Sequence, residues 1–155
     1  MNTFCEFDIQ KKLSKADLIQ LLEKYFQLLK AKIFEQNLFW KHFNEKPDEE
    51  TIGYTIAVLG NANEGFKTYL NLVINSQKNL LDSDCLRFAH YLSTELDCKI
   101  LTGDYTSKCE FLLIDSGKVY VTDTAENPKG EIEVNSILSE GEIIDDFISK
   151  YREYE

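Results

Sequence analysis

The chain has 155 residues, of which 43% are hydrophobic and 28% charged, the balance of one ordinary globular domain. Two prolines and seven glycines exclude a fibrous or disordered chain, and no apolar run approaches the ~18 residues that a membrane-spanning helix needs. The net charge of −10 is uneven: residues 1–50 carry 8 basic and 9 acidic groups, 51–100 carry 4 and 5, and 101–155 carry 5 and 13. A field of that sign repels phosphate backbones and anionic lipid headgroups. It argues against direct nucleic-acid or membrane binding and for a basic protein partner, with simple solubility as the competing reading. The opening Met1-Asn2-Thr3-Phe4-Cys5-Glu6 lacks a basic region followed by an apolar stretch, so a cytoplasmic protein is expected.

Residues 3–9 alternate and predict a strand. Ser14, with Asp17 three residues on, resembles a helix N-cap. Leu18, Leu21, Leu22, Tyr25, Phe26, Leu28 and Leu29 then form a broad apolar stripe, predicting a core helix over 15–30. Ile33, Phe34, Leu38, Phe39 and Trp40 are bulky and β-favouring, and predict a strand around 31–40. A hairpin is expected from 52–59 and 66–75, with Phe66, Thr68, Leu70, Leu72 and Ile74 on one side. Ser83 looks like the cap of a second helix, marked by Leu86, Ala89, His90, Leu92, Ser93 and Leu96. Strands follow at 98–102, 109–114 and 118–122, the last two around an Asp115-Ser116-Gly117 turn. A short edge strand is expected at 131–134, after Asn127-Pro128-Lys129-Gly130. Ser139-x-x-Glu142 reads as a capping box for a final helix carrying Ile143, Ile144, Phe147, Ile148 and Tyr151. The expected fold is α+β, a single domain over 1–155, with a mostly antiparallel sheet and about three helices on its face or ends.

Motifs for chemistry are weak. Gly60-x-x-x-x-Gly65-Phe66-Lys67 is no phosphate loop, because Phe66 displaces the lysine and Glu64 puts an anion in the cradle; it reads as a hairpin turn. His42 and His90 read as packing residues. Cys5, Cys85, Cys98 and Cys109 contain no Cys-x-x-Cys pair and no zinc spacing with the histidines, so buried thiols are expected. Cys85 near a helix start has no base in sequence reach. Asp82-Ser83-Asp84 is a helix-start pattern. Asp145 and Asp146 point about 100° apart on a helix and would not chelate one ion together, whereas Glu142 would share a helical face with them. No catalytic residue, cofactor or metal is expected.

Three segments together carry a resemblance. They are Leu86-Arg87-Phe88-Ala89-His90-Tyr91-Leu92-Ser93-Thr94-Glu95-Leu96, then Cys98-Lys99-Ile100-Leu101-Thr102, then Glu110-Phe111-Leu112-Leu113-Ile114-Asp115-Ser116-Gly117-Lys118-Val119-Tyr120-Val121. This helix, strand and hairpin series, over about residues 83–122, resembles the cytoplasmic immunity proteins of bacterial contact-dependent growth inhibition and related polymorphic toxin systems. The resemblance implies binding of one cognate toxin domain, commonly a nuclease and therefore basic, and no catalysis. Combined with the charge distribution, it makes Asp123, Glu126, Glu131, Glu133, Glu140, Glu142, Asp145 and Asp146 the expected partner-binding acids. The other readings are an enzyme or small-ligand domain with an unmarked pocket, lined for example by Phe39, Trp40 and Phe43, and a regulatory adaptor.

Overall fold

The computed structural model describes residues 2–59, 65–78, 80–104, 111–126 and 132–152. Among them are nine strands and four α-helices: β1 (Asn2–Ile9), α1 (Lys15–Phe26), β2 (Ile33–Glu35), α2 (Gln36–Glu45), β3 (Thr51–Val58), β4 (Thr68–Asn75), α3 (Asp82–Leu96), β5 (Ile100–Asp104), β6 (Phe111–Asp115), β7 (Lys118–Glu126), β8 (Ile132–Ile137), β9 (Glu142–Ile143) and α4 (Ile144–Arg152). The strands form one sheet in the order β2-β3-β4-β1-β5-β6-β7-β8, with β9 also on β7. Only β2–β3 is parallel. The expected α+β class with a mostly antiparallel sheet is correct, with one helix more than expected.

β1 lies at the centre because its alternation suits both neighbours. Cys5, Phe7 and Ile9 are buried, while Phe4 and Glu6 are exposed. Its register sets Phe7 against Leu70 and Thr102, and Ile9 against Thr68 and Ile100. On this core face Leu18 and Leu22 of α1, Leu86, Phe88 and Leu92 of α3, and Ile144 and Ile148 of α4 pack with the inward strand residues. Phe88 anchors the layer, with ring centroids 5.8 Å from Phe7, 5.1 Å from Tyr25 and 5.2 Å from Phe26. The hairpin residues Thr68, Leu70, Leu72 and Ile74 are all buried, on the side expected for them.

Several local expectations are corrected. α1 is capped as expected, its Asp17 N–H donating to Ser14 Oγ at 3.1 Å, but it ends at Phe26 because Gln27 turns left-handed at φ 53°. The strand expected around 31–40 survives only as β2. From Gln36 the chain is helical, and Phe39 and Phe43, one turn apart, stack at 6.2 Å. Tertiary packing overrides β propensity here: Phe39 is fully buried on the sheet face opposite the core layer, over Gly53 and Val73. Ser83 is not the cap of α3. Leu81 is the N-cap residue, and its N–H donates to Asp84 Oδ2 at 2.8 Å while the Asp84 N–H donates to the Leu81 carbonyl at 2.9 Å.

The Asp115-Ser116-Gly117 turn is as expected. Ser116 at φ 51° and Gly117 at φ 80° give the twist that a tight hairpin requires. The Ser139-x-x-Glu142 capping box does not form. Ser139 Oγ instead accepts the Val121 N–H at 2.8 Å, and Glu142 belongs to β9, ahead of the helix.

Cys5 and Cys85 form a disulfide between β1 and the first turn of α3, with Cα atoms 5.9 Å apart. The expectation of free thiols is corrected for this pair; a sequence separation of 80 hid the contact. Cys98 is a buried thiol, and burial raises its pKa. Cys109 lies outside the described residues, as do the Gly60–Glu64 part of the loop read as a hairpin turn and the turn at 127–130. Among the described residues no helix is long and apolar enough to cross a membrane.

Candidate functional site

The outer edge of β7 is shared by two strands. β9 pairs with it at Lys118 and Val119, and β8 pairs from Thr122 to Glu126. Between them the Leu138 N–H donates to the Val121 carbonyl at 2.8 Å, and the chain then leaves the ladder. The register sets Ile143 opposite Lys118 and Ile137 opposite Thr122. Val119 is buried in the core layer, so alternation turns Ile137 and Ile143 to the opposite face. They are 54% and 60% exposed, and Leu138 beside them is 55% exposed.

The expected acids gather around this edge but not on one face. Asp123 on β7, Glu140 before β9 and Asp146 on α4 are exposed. Asp123 pairs with Ser136, and α4 packs on the core side. Glu126 and Glu133 lie on paired segments of β7 and β8, and Glu131 lies outside the described residues. Among the described residues, Glu142 and Asp145 already have internal partners. Lys150 Nζ donates to Glu142 Oε1 at 2.6 Å, and Arg87 Nη1 donates to Asp145 Oδ1 at 2.8 Å. The Glu142 hydrogen bond and charge, with Asp146 nearby, hold the Lys150 ammonium above its ordinary range. Because Glu142 precedes α4, the helical face it was expected to share with Asp145 and Asp146 does not exist. Lys118, Gly141, Glu142, Ile143, Asp146, Ser149 and Lys150 line a shallow open hollow at this edge.

A second surface was not read from the sequence. On the sheet face away from the core, Phe4, Glu6 and Asp8 of β1 stand opposite Val73, Asn71 and Tyr69 of β4. The Tyr69 hydroxyl and Asn71 Nδ2 donate to Glu6 Oε1 at 3.1 and 3.2 Å. Gln36 Nε2 donates to Asn71 Oδ1 at 3.2 Å, and the Thr55 hydroxyl donates to Gln36 Oε1 at 2.8 Å. This chain of bonds ties α2 to the sheet. Asp8 has no hydrogen-bond or ion-pair partner among the described residues. Burial, and then the charge of Glu6, push its carboxyl up to about 6. Trp40 of α2 lies 6.4 Å from the Phe4 ring, and the two are 36% and 57% exposed. The available signal was the order Phe4-Glu6-Asp8 within a predicted strand, which put a large apolar ring on the polar side.

The aromatic pocket considered from the sequence is not an open cleft at Phe39, which is fully buried. His42 stacks on Phe34 at 4.8 Å, and its Nε2 lies 2.6 Å from Glu49 Oε2, where Lys32 also pairs with Glu49. Among the described residues no group of three or more His, Cys, Asp or Glu side chains is placed to hold a metal ion. Compared with protein-family models, curated proteins and solved structures, the chain matches none.

Proposed function

We propose that the chain is a neutralising binding protein, an immunity protein whose C-terminal edge docks on a basic toxin domain, commonly a nuclease, and covers its active site or substrate groove without catalysis. The observation that supports this reading is the exposed apolar group Ile137, Leu138 and Ile143 beside the exposed acids Asp123, Glu140 and Asp146. Interfaces combine an apolar centre with a polar rim, and a negative rim steers a cationic partner and raises the on-rate. Asp145 and Glu142, held by Arg87 and Lys150, set the local structure more than they attract a partner. Asp123, Glu140 and Asp146 are the strongest charge candidates.

A cytoplasmic location remains part of this proposal, and the Cys5–Cys85 disulfide weighs against it because such bonds are uncommon in reducing compartments. Co-expression with the product of the neighbouring gene, followed by pull-down and a cell-protection assay, tests the function. Asp123→Lys with Asp146→Lys is expected to slow association, and Ile137→Asp to speed dissociation. Unchanged binding and protection in both variants would overturn the reading.

A further inference from the structure

We infer that the partly exposed sheet face around Phe4, Glu6, Asp8, Tyr69 and Trp40 receives an arginine side chain from a basic segment of a partner protein. This surface is separate from the C-terminal edge and does not depend on the toxin-neutralising reading.

The layering creates the surface. α1, α3 and α4 pack on the core face of the sheet, while α2 packs on the opposite face through Phe39 over Gly53 and Val73, Gln36 on Asn71 and Thr55, and Trp40 beside Phe4. Beside those contacts β1 presents Phe4, Glu6 and Asp8 in a row, each about 7 Å from the next by strand geometry. A ring and two carboxylates at that spacing match the two halves of an arginine side chain. Its planar guanidinium offers five donors that can engage carboxylates in pairs, and it stacks on aromatic faces. The methylene stem lies well on an exposed apolar ring, here Phe4 with Trp40 behind it.

Charge complementarity selects the occupant. No lysine, arginine or histidine among the described residues pairs with Glu6 or Asp8. Glu6 is held in place by Tyr69 and Asn71, so its position is set before any partner arrives. Asp8 sits between Tyr69 and Leu101 of the neighbouring strands, where burial and then the like charge of Glu6 oppose its ionisation. A partly buried acid in that position is destabilising when ionised and unpaired. An external cation removes both penalties at once. A nucleic acid or an acidic peptide would add to them.

The single tryptophan of the chain provides the measurement. The whole protein at pH 7.5, where Asp8 is ionised, is titrated with the capped tripeptide acetyl-Leu-Arg-Leu-amide while Trp40 emission is recorded. Saturable quenching or a spectral shift is expected, with Asp8→Asn and Glu6→Gln each weakening it by about tenfold, the loss of one charge-assisted contact. Asp146→Lys at the C-terminal edge should leave it unchanged. Acetyl-Leu-Gln-Leu-amide should give no saturable signal. The inference is overturned if no saturation appears by about 10 mM peptide, a range that reaches even very weak contacts. It is also overturned if the glutamine peptide binds equally, or if Asp8→Asn binds as wild type does. A folded far-ultraviolet spectrum for each variant separates loss of the site from loss of the fold.

Discussion

Gly53 of β3 lies so close under Phe39 of α2 that no side chain fits between them: a Cβ at position 53 would stand 2.7 Å from Phe39 Cβ and Cγ, and 2.8 Å from Val73 Cγ1. Phe39 Cβ is fixed to the helix backbone and cannot swing aside. Gly53→Ala should therefore lift α2 from the sheet and cost about 1–3 kcal/mol, as overpacked cores do. Urea unfolding measures the loss, and Trp40, next to Phe39 at 5.0 Å, should change its emission in the folded state. An unchanged midpoint and spectrum would remove α2 from this seat.

The Cys5–Cys85 bond constrains the unfolded chain over a long loop. Its loss, by Cys85→Ser or by reductant, should lower stability by roughly 2–5 kcal/mol. The comparison is urea unfolding with and without reductant. In the oxidised wild type Cys98 should react with a thiol reagent after denaturation while Cys5 and Cys85 should not, and four reactive cysteines would contradict the bond.

Asp8 gives a pH dependence of definite sign. Its carboxyl titrates near 6 in the folded protein, against an ordinary 3.8. Between those values the folded state holds a proton that the unfolded state has released, so stability falls as pH rises through that window. Above it the ionised group, facing Glu6 and Tyr69, remains a net cost. Discounted for its partial exposure, the effect is on the order of 1–2 kcal/mol. Asp8→Asn should remove that decline, so the stability difference between variant and wild type should grow from pH 4 to pH 7. A difference flat across this range would contradict the raised pKa.

The start of α3 separates two neighbouring residues. Asp84 accepts the Leu81 N–H, so Asp84→Ala should cost about 1 kcal/mol, the worth of a helix cap. Ser83 is buried with no hydrogen-bond partner for its hydroxyl among the described residues, and Ser83→Ala should be neutral or stabilising. Thermal unfolding of the two variants reads the order directly. The reverse order would restore Ser83 as the cap.

Much of the framework was legible in the sequence because the signals were local. Ser14 before an apolar stripe, the alternation from Thr68 to Ile74, and Ser116-Gly117 between two apolar runs each specify their element within a few residues. The misread segment, 31–40, depends on a distant glycine: Phe39 and Trp40 become helical because Gly53 leaves a place for them. The cap of α3 was misplaced by one motif. Ser83 resembles a cap by residue type, but the bond is made by the acid beside it. The acids of the last third were legible as a composition bias. Which of them are held by Arg87 and Lys150 depends on where α3 and α4 meet, and no short-range pattern encodes that. The Glu6–Asp8 face stayed hidden because two acids on a strand read as ordinary solvated positions until the sheet shows which residues of β4 and α2 stand beside them.

The bond between residues 5 and 85 also changes what a protease can accomplish. It turns most of the N-terminal half, including α1, α2 and the strands β2 to β4, into a closed ring. One cut anywhere between residues 6 and 84 opens the ring without releasing a fragment. Such a nicked molecule would keep its full mass on a non-reducing gel and separate into two pieces only when the sulfur link is broken.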